Sequence, residues 1–175
     1  MSVPVLIVGA GVIGTAIACE LTMRKVPVVV IDQREPGGGA TQASAGMLAP
    51  YVEAHERGPL LDLGVRSLAL YDEWIARVTR DAALDVEYRR IGTLEIALDA
   101  PHAAELHALA ASDPAVARVW LDPVDARARH GALGTIAGAL FTAAHGYVAA
   151  RRGFRAHRAG PQACFADLAV PNCLR

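Results

Sequence analysis

Val5-Leu6-Ile7-Val8-Gly9-Ala10-Gly11-Val12-Ile13-Gly14 is an apolar, β-branched run that leads straight into G-x-G-x-x-G, and an amphipathic segment follows from Thr15 to Lys25. The order reads strand, tight turn, helix, which is the arrangement of a nucleotide phosphate site. Gly9 permits the sharp turn, Gly11 lets the backbone approach a pyrophosphate, and Gly14 lets the helix pack close to the strand. The anion then rests on free N–H groups at the positive end of the helix. Val26 to Ile31 forms a second apolar strand, closed by Asp32. An acidic side chain at that place, roughly 20 residues beyond the glycines, accepts hydrogen bonds from ribose hydroxyls. On these residues alone the reading is dinucleotide binding, with NAD and FAD both open.

Composition narrows the class. The chain has 175 residues, 53% of them hydrophobic, and a net charge of −1. That is enough chain for one ordinary domain or two small ones, and it argues against disorder and against an electrostatic nucleic-acid binder. Cys19, Cys164 and Cys173 have neither zinc-ligand nor disulfide-framework spacing, so a reducing cytoplasm is the expected compartment, with Cys19 read as a small core residue. The N-terminal apolar run lacks the basic residues of a signal peptide, and no other stretch is long enough to span a bilayer, so a soluble protein is expected. His55, His102, His107, His130, His145 and His157 form no metal-ligand pattern and are taken as solvated or capping residues.

The stretch Glu35-Pro36-Gly37-Gly38-Gly39-Ala40-Thr41-Gln42-Ala43-Ser44-Ala45-Gly46-Met47-Leu48-Ala49-Pro50 has no apolar period and reads as a loop. Thr41 is placed to N-cap a short helix, and the small residues suit backbone passing against a flat aromatic ring. Taken together, GAGVIG, VVVID and EPGGGATQASAGMLAPYVEAHE resemble the D-amino-acid oxidase superfamily of FAD enzymes, and within it the glycine oxidases of thiamine biosynthesis. The resemblance implies FAD as cofactor, with Val12 and Ile13 on the pyrophosphate and Asp32 and Gln33 on the adenosine. It places Ala40 and Thr41 beside the phosphates, and Ala45, Gly46 and Met47 along the flavin. It also implies oxidative deamination of glycine or another small amine, with hydride transfer to the flavin and reoxidation by O2. Relatives often assemble, so a homo-oligomer is left open; neither nucleic acid nor membrane is implied as a partner.

Further along, Leu61, Val65, Leu68, Tyr71, Trp74, Ile75 and Val78 keep helical spacing between Leu60 and Thr79, with Tyr71 and Trp74 expected to pack in the core. Arg89 to Leu98 alternates as a strand with a bend at Gly92, and Arg89 and Arg90 are read as surface charge. Pro101 opens a helix to about Ala111, Val119-Trp120-Leu121 is a short strand, Asp122 caps a helix from Pro123 to near Gly131, and Gly138 to Thr142 is another strand. The expected fold is α/β: a Rossmann-type FAD-binding β-α-β unit with part of an α+β substrate domain, the C-terminal half of the family fold being absent. The expected divisions are 1–58, the FAD-binding part; 59–145, the substrate-domain segment; and 146–175, a return segment with an irregular tail.

After Tyr147 the family pattern fades, and Gly153 to Arg175 shows no helical or strand period. A frameshifted ending and a short adaptive tail both fit that stretch. No catalytic residue can be assigned from the sequence, because the resemblance puts the arginine that binds substrate in the absent half. The expectation is therefore an FAD-dependent oxidoreductase chain that is inactive alone, with a non-catalytic dinucleotide-binding remnant as the alternative. An NAD-binding Rossmann protein fits the 37–50 loop less well.

Overall fold

A computed structural model describes residues 3–149 except 55, 84 and 114; the tail from Gly153 to Arg175, with Cys164, Cys173 and His157, lies outside the described residues, as does His55. The described chain forms two compact units. Of the described residues, one unit comprises 3–46, 69–88 and 148–149, the other 47–68 and 89–147. These are not the cuts read from the sequence at 58 and 145.

In the first unit, strand β1 (Val5–Val8), helix α1 (Val12–Met23) and strand β2 (Val28–Ile31) make one β-α-β turn. The strands run parallel, with Val5 opposite Val28 and Val8 opposite Ile31. The helix begins at Val12, three residues before the expected Thr15, because the glycine turn itself supplies its N-cap at Gly11. Ile7, Ala10, Ala18 and Val30 form a small core, with Leu21 and Val28 packed on it. Cys19 is half-buried, whereas its neighbour Ala18 is the fully buried residue. A four-residue helix, α2 (Ala40–Ala43), follows β2.

Helix α4 (Pro59–Ala82) comes after strand β3 (Met47–Leu48) and the short helix α3 (Pro50–Glu53). Its buried residues Leu68, Ile75 and Val78 carry the stripe expected from the sequence, and Ala82 extends it. Tyr71 and Trp74 are half-buried and meet edge to face at 5.7 Å. From Ala69 onward the helix belongs to the first unit, where Arg77 forms an ion pair with Glu20 of α1.

The second unit is built on an antiparallel sheet of strand order β5-β7-β6, made of β5 (Thr93–Ala97), β6 (Arg118–Leu121) and β7 (Gly138–Thr142). Helix α5 (Ala100–Ser112) packs its Leu106 on Ala97, Leu140 and Trp120, and helix α6 (Pro123–Arg129) packs its Ala126 in a core with Leu121, Ile136 and Ala139. Helix α6 starts as read, the Asp122 carboxylate accepting the N–H groups of Val124 and Asp125, while α5 starts one residue before the expected Pro101, where the Asp99 carboxylate accepts the His102 N–H.

The strand expected over Arg89 to Leu98 is divided into β4 (Tyr88–Arg89) and β5. Gly92 is the reason. It has φ +79°, and a Cβ there would stand 2.3 Å from the Phe141 ring, so the chain turns where no side chain fits. A second sheet has the order β3-β8-β4, β8 being Gly146–Val148. Met47 lies opposite Tyr147, and Leu48 opposite Gly146.

Candidate functional site

Within the first unit, a cavity of about 500 Å³ opens between the β1–α1 turn and the 37–44 loop. Of the residues named from the sequence, Gly9, Gly11, Val12, Ile13, Gly14, Asp32, Ala40 and Thr41 line it together. Gln33 is exposed beside Asp32 but outside the lining. Ala45, Gly46 and Met47 do not line it; Met47 is more than half exposed and belongs to the second unit. Gly37, Gly39 and Ser44 line the cavity without having been singled out. Their signal was present in the glycine triplet: Gly37 takes φ +79° and donates its N–H to the Ala10 carbonyl at 2.9 Å.

The glycines act by close approach. Gly9 takes φ +109°, donates to the Ile31 carbonyl at 2.7 Å and ends β1 in a turn that β-carbons disfavour. A Cβ on Gly14 would stand 1.9 Å from the Gly9 carbonyl oxygen, and one on Gly11 3.0 Å from Thr41 Oγ1. Alanine at either place would push α1 or the 37–44 loop out of position.

Contrary to the sequence expectation, Thr41 does not cap its own helix; Gly39 holds that position with no side-chain cap. Instead the Val12 N–H donates to Thr41 Oγ1 at 2.9 Å. Val12 is the first residue of α1, whose own cap Gly11 has no side chain to offer. Thr41, 7% exposed, therefore caps a helix 29 residues away and ties the two walls of the cavity together.

Asp32 is held from below. Its Oδ2 accepts the Ala10 N–H at 2.7 Å and its Oδ1 accepts the Arg34 N–H at 2.8 Å. The Ala10 N–H and then the Arg34 N–H hold the carboxyl below the ordinary carboxylate range. Each oxygen keeps acceptor capacity toward the cavity. A fixed, ionised acceptor at the end of β2, a backbone cradle and the positive end of a 12-residue helix together fit the adenosine and pyrophosphate of a dinucleotide. Asp32, Thr41 and Ser44 are the lining side chains with oxygen atoms, and they include no base paired to a nucleophile. The cavity can bind and orient; it contains no acid–base machinery of its own.

A polar cluster in the second unit escaped the sequence reading. His145, taken there as solvated or capping, is fully buried. Its Nε2 accepts the Tyr51 N–H at 3.2 Å and its Nδ1 lies 2.7 Å from Thr93 Oγ1. The accepting Nε2 requires the neutral ring's proton on Nδ1, which donates to Thr93. Burial first, then the Arg118 and Arg90 charges, push its pKa down to about 4. Arg90 is likewise not surface charge: its guanidinium donates to the carbonyls of Ala144 at 2.6 Å and Leu68 at 2.7 Å. Among the described residues no group of three or more His, Cys, Asp or Glu could hold a metal ion, and no helix is long and apolar enough to cross a membrane.

Comparison with known proteins agrees with this geometry. The sequence profile of the family described as "FAD dependent oxidoreductase" matches residues 4–162. The bifunctional protein ThiO/ThiG of Synechocystis sp. is 38% identical over 99 residues, covering 56% of this chain and 15% of that protein. Glycine oxidase of Geobacillus kaustophilus is 33% identical over 103 residues, covering 59% of this chain and 27% of the relative. The crystal structure of glycine oxidase from Geobacillus kaustophilus superposes with a TM-score of 0.86 at 28% identity, over 95% of this chain and 46% of the solved one. The chain thus spans about half of that structure.

Proposed function

Since the chain belongs to the family of FAD-dependent oxidoreductases, whose cofactor is FAD, we propose that it forms the FAD-binding N-terminal part of an amino-acid or amine oxidase of the glycine oxidase type. The observation that carries this reading is the cavity in which Gly9, Gly11, Gly14, Asp32 and Thr41 converge. In it Asp32 takes the ribose hydroxyls, the N-terminus of α1 takes the pyrophosphate, and Thr41 keeps the two walls in register. Gln33 extends the adenosine contact, and Ala40 lies beside the phosphates. Ala45 and Gly46, which follow the cavity's Ser44 in the same unit, would lie along the flavin.

FAD, when bound, supplies the two-electron acceptor for oxidation of an amine C–H bond, and O2 is the final oxidant. Glycine, sarcosine or a small D-amino acid is the substrate class. The chain by itself is expected to bind FAD without turnover. The cytoplasm is the proposed setting, on the spacing of its three cysteines.

Reconstitution tests this directly. Purified chain mixed with FAD and freed of excess should retain yellow colour with a flavin absorption band, and Asp32→Ala should weaken retention about 10-fold, the effect of one lost charge-assisted hydrogen-bond pair. Retention of NAD but not FAD would overturn the reading. Peroxide release with glycine or sarcosine would overturn the expectation of no turnover while leaving the cofactor in place.

A further inference from the structure

We infer that the second unit carries a binding site for a small carboxylate on the guanidinium of Arg118. Arg118 lies on β6, the edge strand of its sheet, in register with Thr142 of β7. Its guanidinium carbon sits 5.3 Å from the centroid of the Tyr51 ring, so one face is covered by an aromatic surface. Its Nε is buried and has no hydrogen-bond partner. Among the described residues no carboxylate pairs with it. Arg118 as a residue is only half-buried.

Arg90, the other cation acting on His145, is differently placed, since it donates to two carbonyls. His145 is neutral, and the charges that act on it are those of Arg118 and Arg90, with no acid opposing them. A guanidinium nitrogen stripped of water, with no acceptor among the described residues, carries a desolvation cost that an incoming acceptor would offset.

The geometry also selects the ligand. A planar guanidinium with one face covered offers parallel N–H donors, which match the two oxygens of a carboxylate. A phosphate would call for further donors, and those of Arg90 are already occupied. Tyr51, which covers the fork, is itself fixed, because its N–H donates to His145 and its ring stacks on the imidazole at 5.5 Å. The site is therefore formed before the ligand arrives, and the α-carboxylate of a free amino acid is a ligand of the right class.

Proton–nitrogen spectra of the arginine side chains test the assignment, with sodium acetate and glycine titrated separately against sodium chloride at matched ionic strength. The Arg118 Nε–H signal, identified by its loss in Arg118→Lys, should move saturably with acetate and with glycine, while that of the exposed Arg66 follows ionic strength alone. The Tyr51 ring signals should move with it, and in Arg118→Lys their response to acetate should weaken about 10-fold, since the charge stays and the fork is lost. An Arg118 response that is linear, or equal with chloride, would overturn the proposal. Tyr51 responding unchanged in Arg118→Lys would do the same. FAD retention reads the other unit, so failure here and failure of the dinucleotide reading are separable.

Discussion

Acidification should unfasten the His145 cluster, and the structure sets both the sign and the size of the effect. The ring is fully buried and its Nε2 is an acceptor, so protonation turns that nitrogen into a donor facing the Tyr51 N–H. The folded pKa is about 4 against the ordinary 6.5. Between those values the unfolded chain binds the proton and the folded chain does not, so stability is complete above pH 6.5, falls as the pH drops through that range, and levels off below 4. At about 1.4 kcal/mol per pH unit the loss sums to about 3 kcal/mol. Urea unfolding followed by Trp120 fluorescence at pH 7.5, 6, 5 and 4 measures it, with His145→Gln as reference. The glutamine amide accepts and donates without titrating, and the other acidic groups cancel in the difference. Wild type should lose about 3 kcal/mol relative to the variant across the range. Parallel pH profiles for the two proteins would refute the reasoning.

Three substitutions probe the architecture elsewhere. Gly14→Ala puts a Cβ 1.9 Å from the Gly9 carbonyl oxygen; displacement of α1 should weaken FAD about 10-fold or more in a fluorescence-quenching titration. Thr41→Val keeps the shape but removes the acceptor of the Val12 N–H, which should cost about 1 kcal/mol in urea unfolding, the price of an N-cap. Gly92→Ala adds a Cβ 2.3 Å from the Phe141 ring at φ +79°; strain and overpacking together should cost about 2–3 kcal/mol, read as a lowered midpoint in thermal circular dichroism.

What the sequence revealed and what it hid divide along a physical line. Glycine spacing, the proline at the start of α5 and the Asp122 cap are local signals, since each residue acts on backbone within a few positions of itself, and the acid closing β2 stands at a fixed distance from the glycines. They placed β1, α1, β2, α5 and α6 to within a few residues. Thr41 was misread because its hydroxyl serves a helix 29 positions away, and no local rule connects the two. His145 was misread for the same reason: its partners Tyr51 and Thr93 lie 94 and 52 residues distant. A weak signal existed, in that a polar residue sat between two apolar strands where a solvated turn was assumed. Arg118 carried no signal, since an unpaired arginine can be recognised only once its surroundings are known.

The distant contacts explain why the cavity has a defined shape although its walls are loops. A glycine-rich turn is conformationally permissive and would be costly to order on its own. Here each wall is fixed to something else: Gly9 to β2 through the Ile31 carbonyl, Gly37 to the turn through the Ala10 carbonyl, Asp32 to the Ala10 N–H, and Thr41 to the start of α1. These four ties converge on residues 9 to 12, the turn that leads into α1. They hold it in place before any ligand is present. The sheet beneath is slight: among the described residues it has two strands, with Leu6 59% and Val8 78% exposed. Parallel strands of such composition are ordinarily covered on both faces. The cavity's order therefore rests on its hydrogen-bonded ties more than on the core below it, which makes the Thr41 contact the one whose loss should be felt most at the binding site.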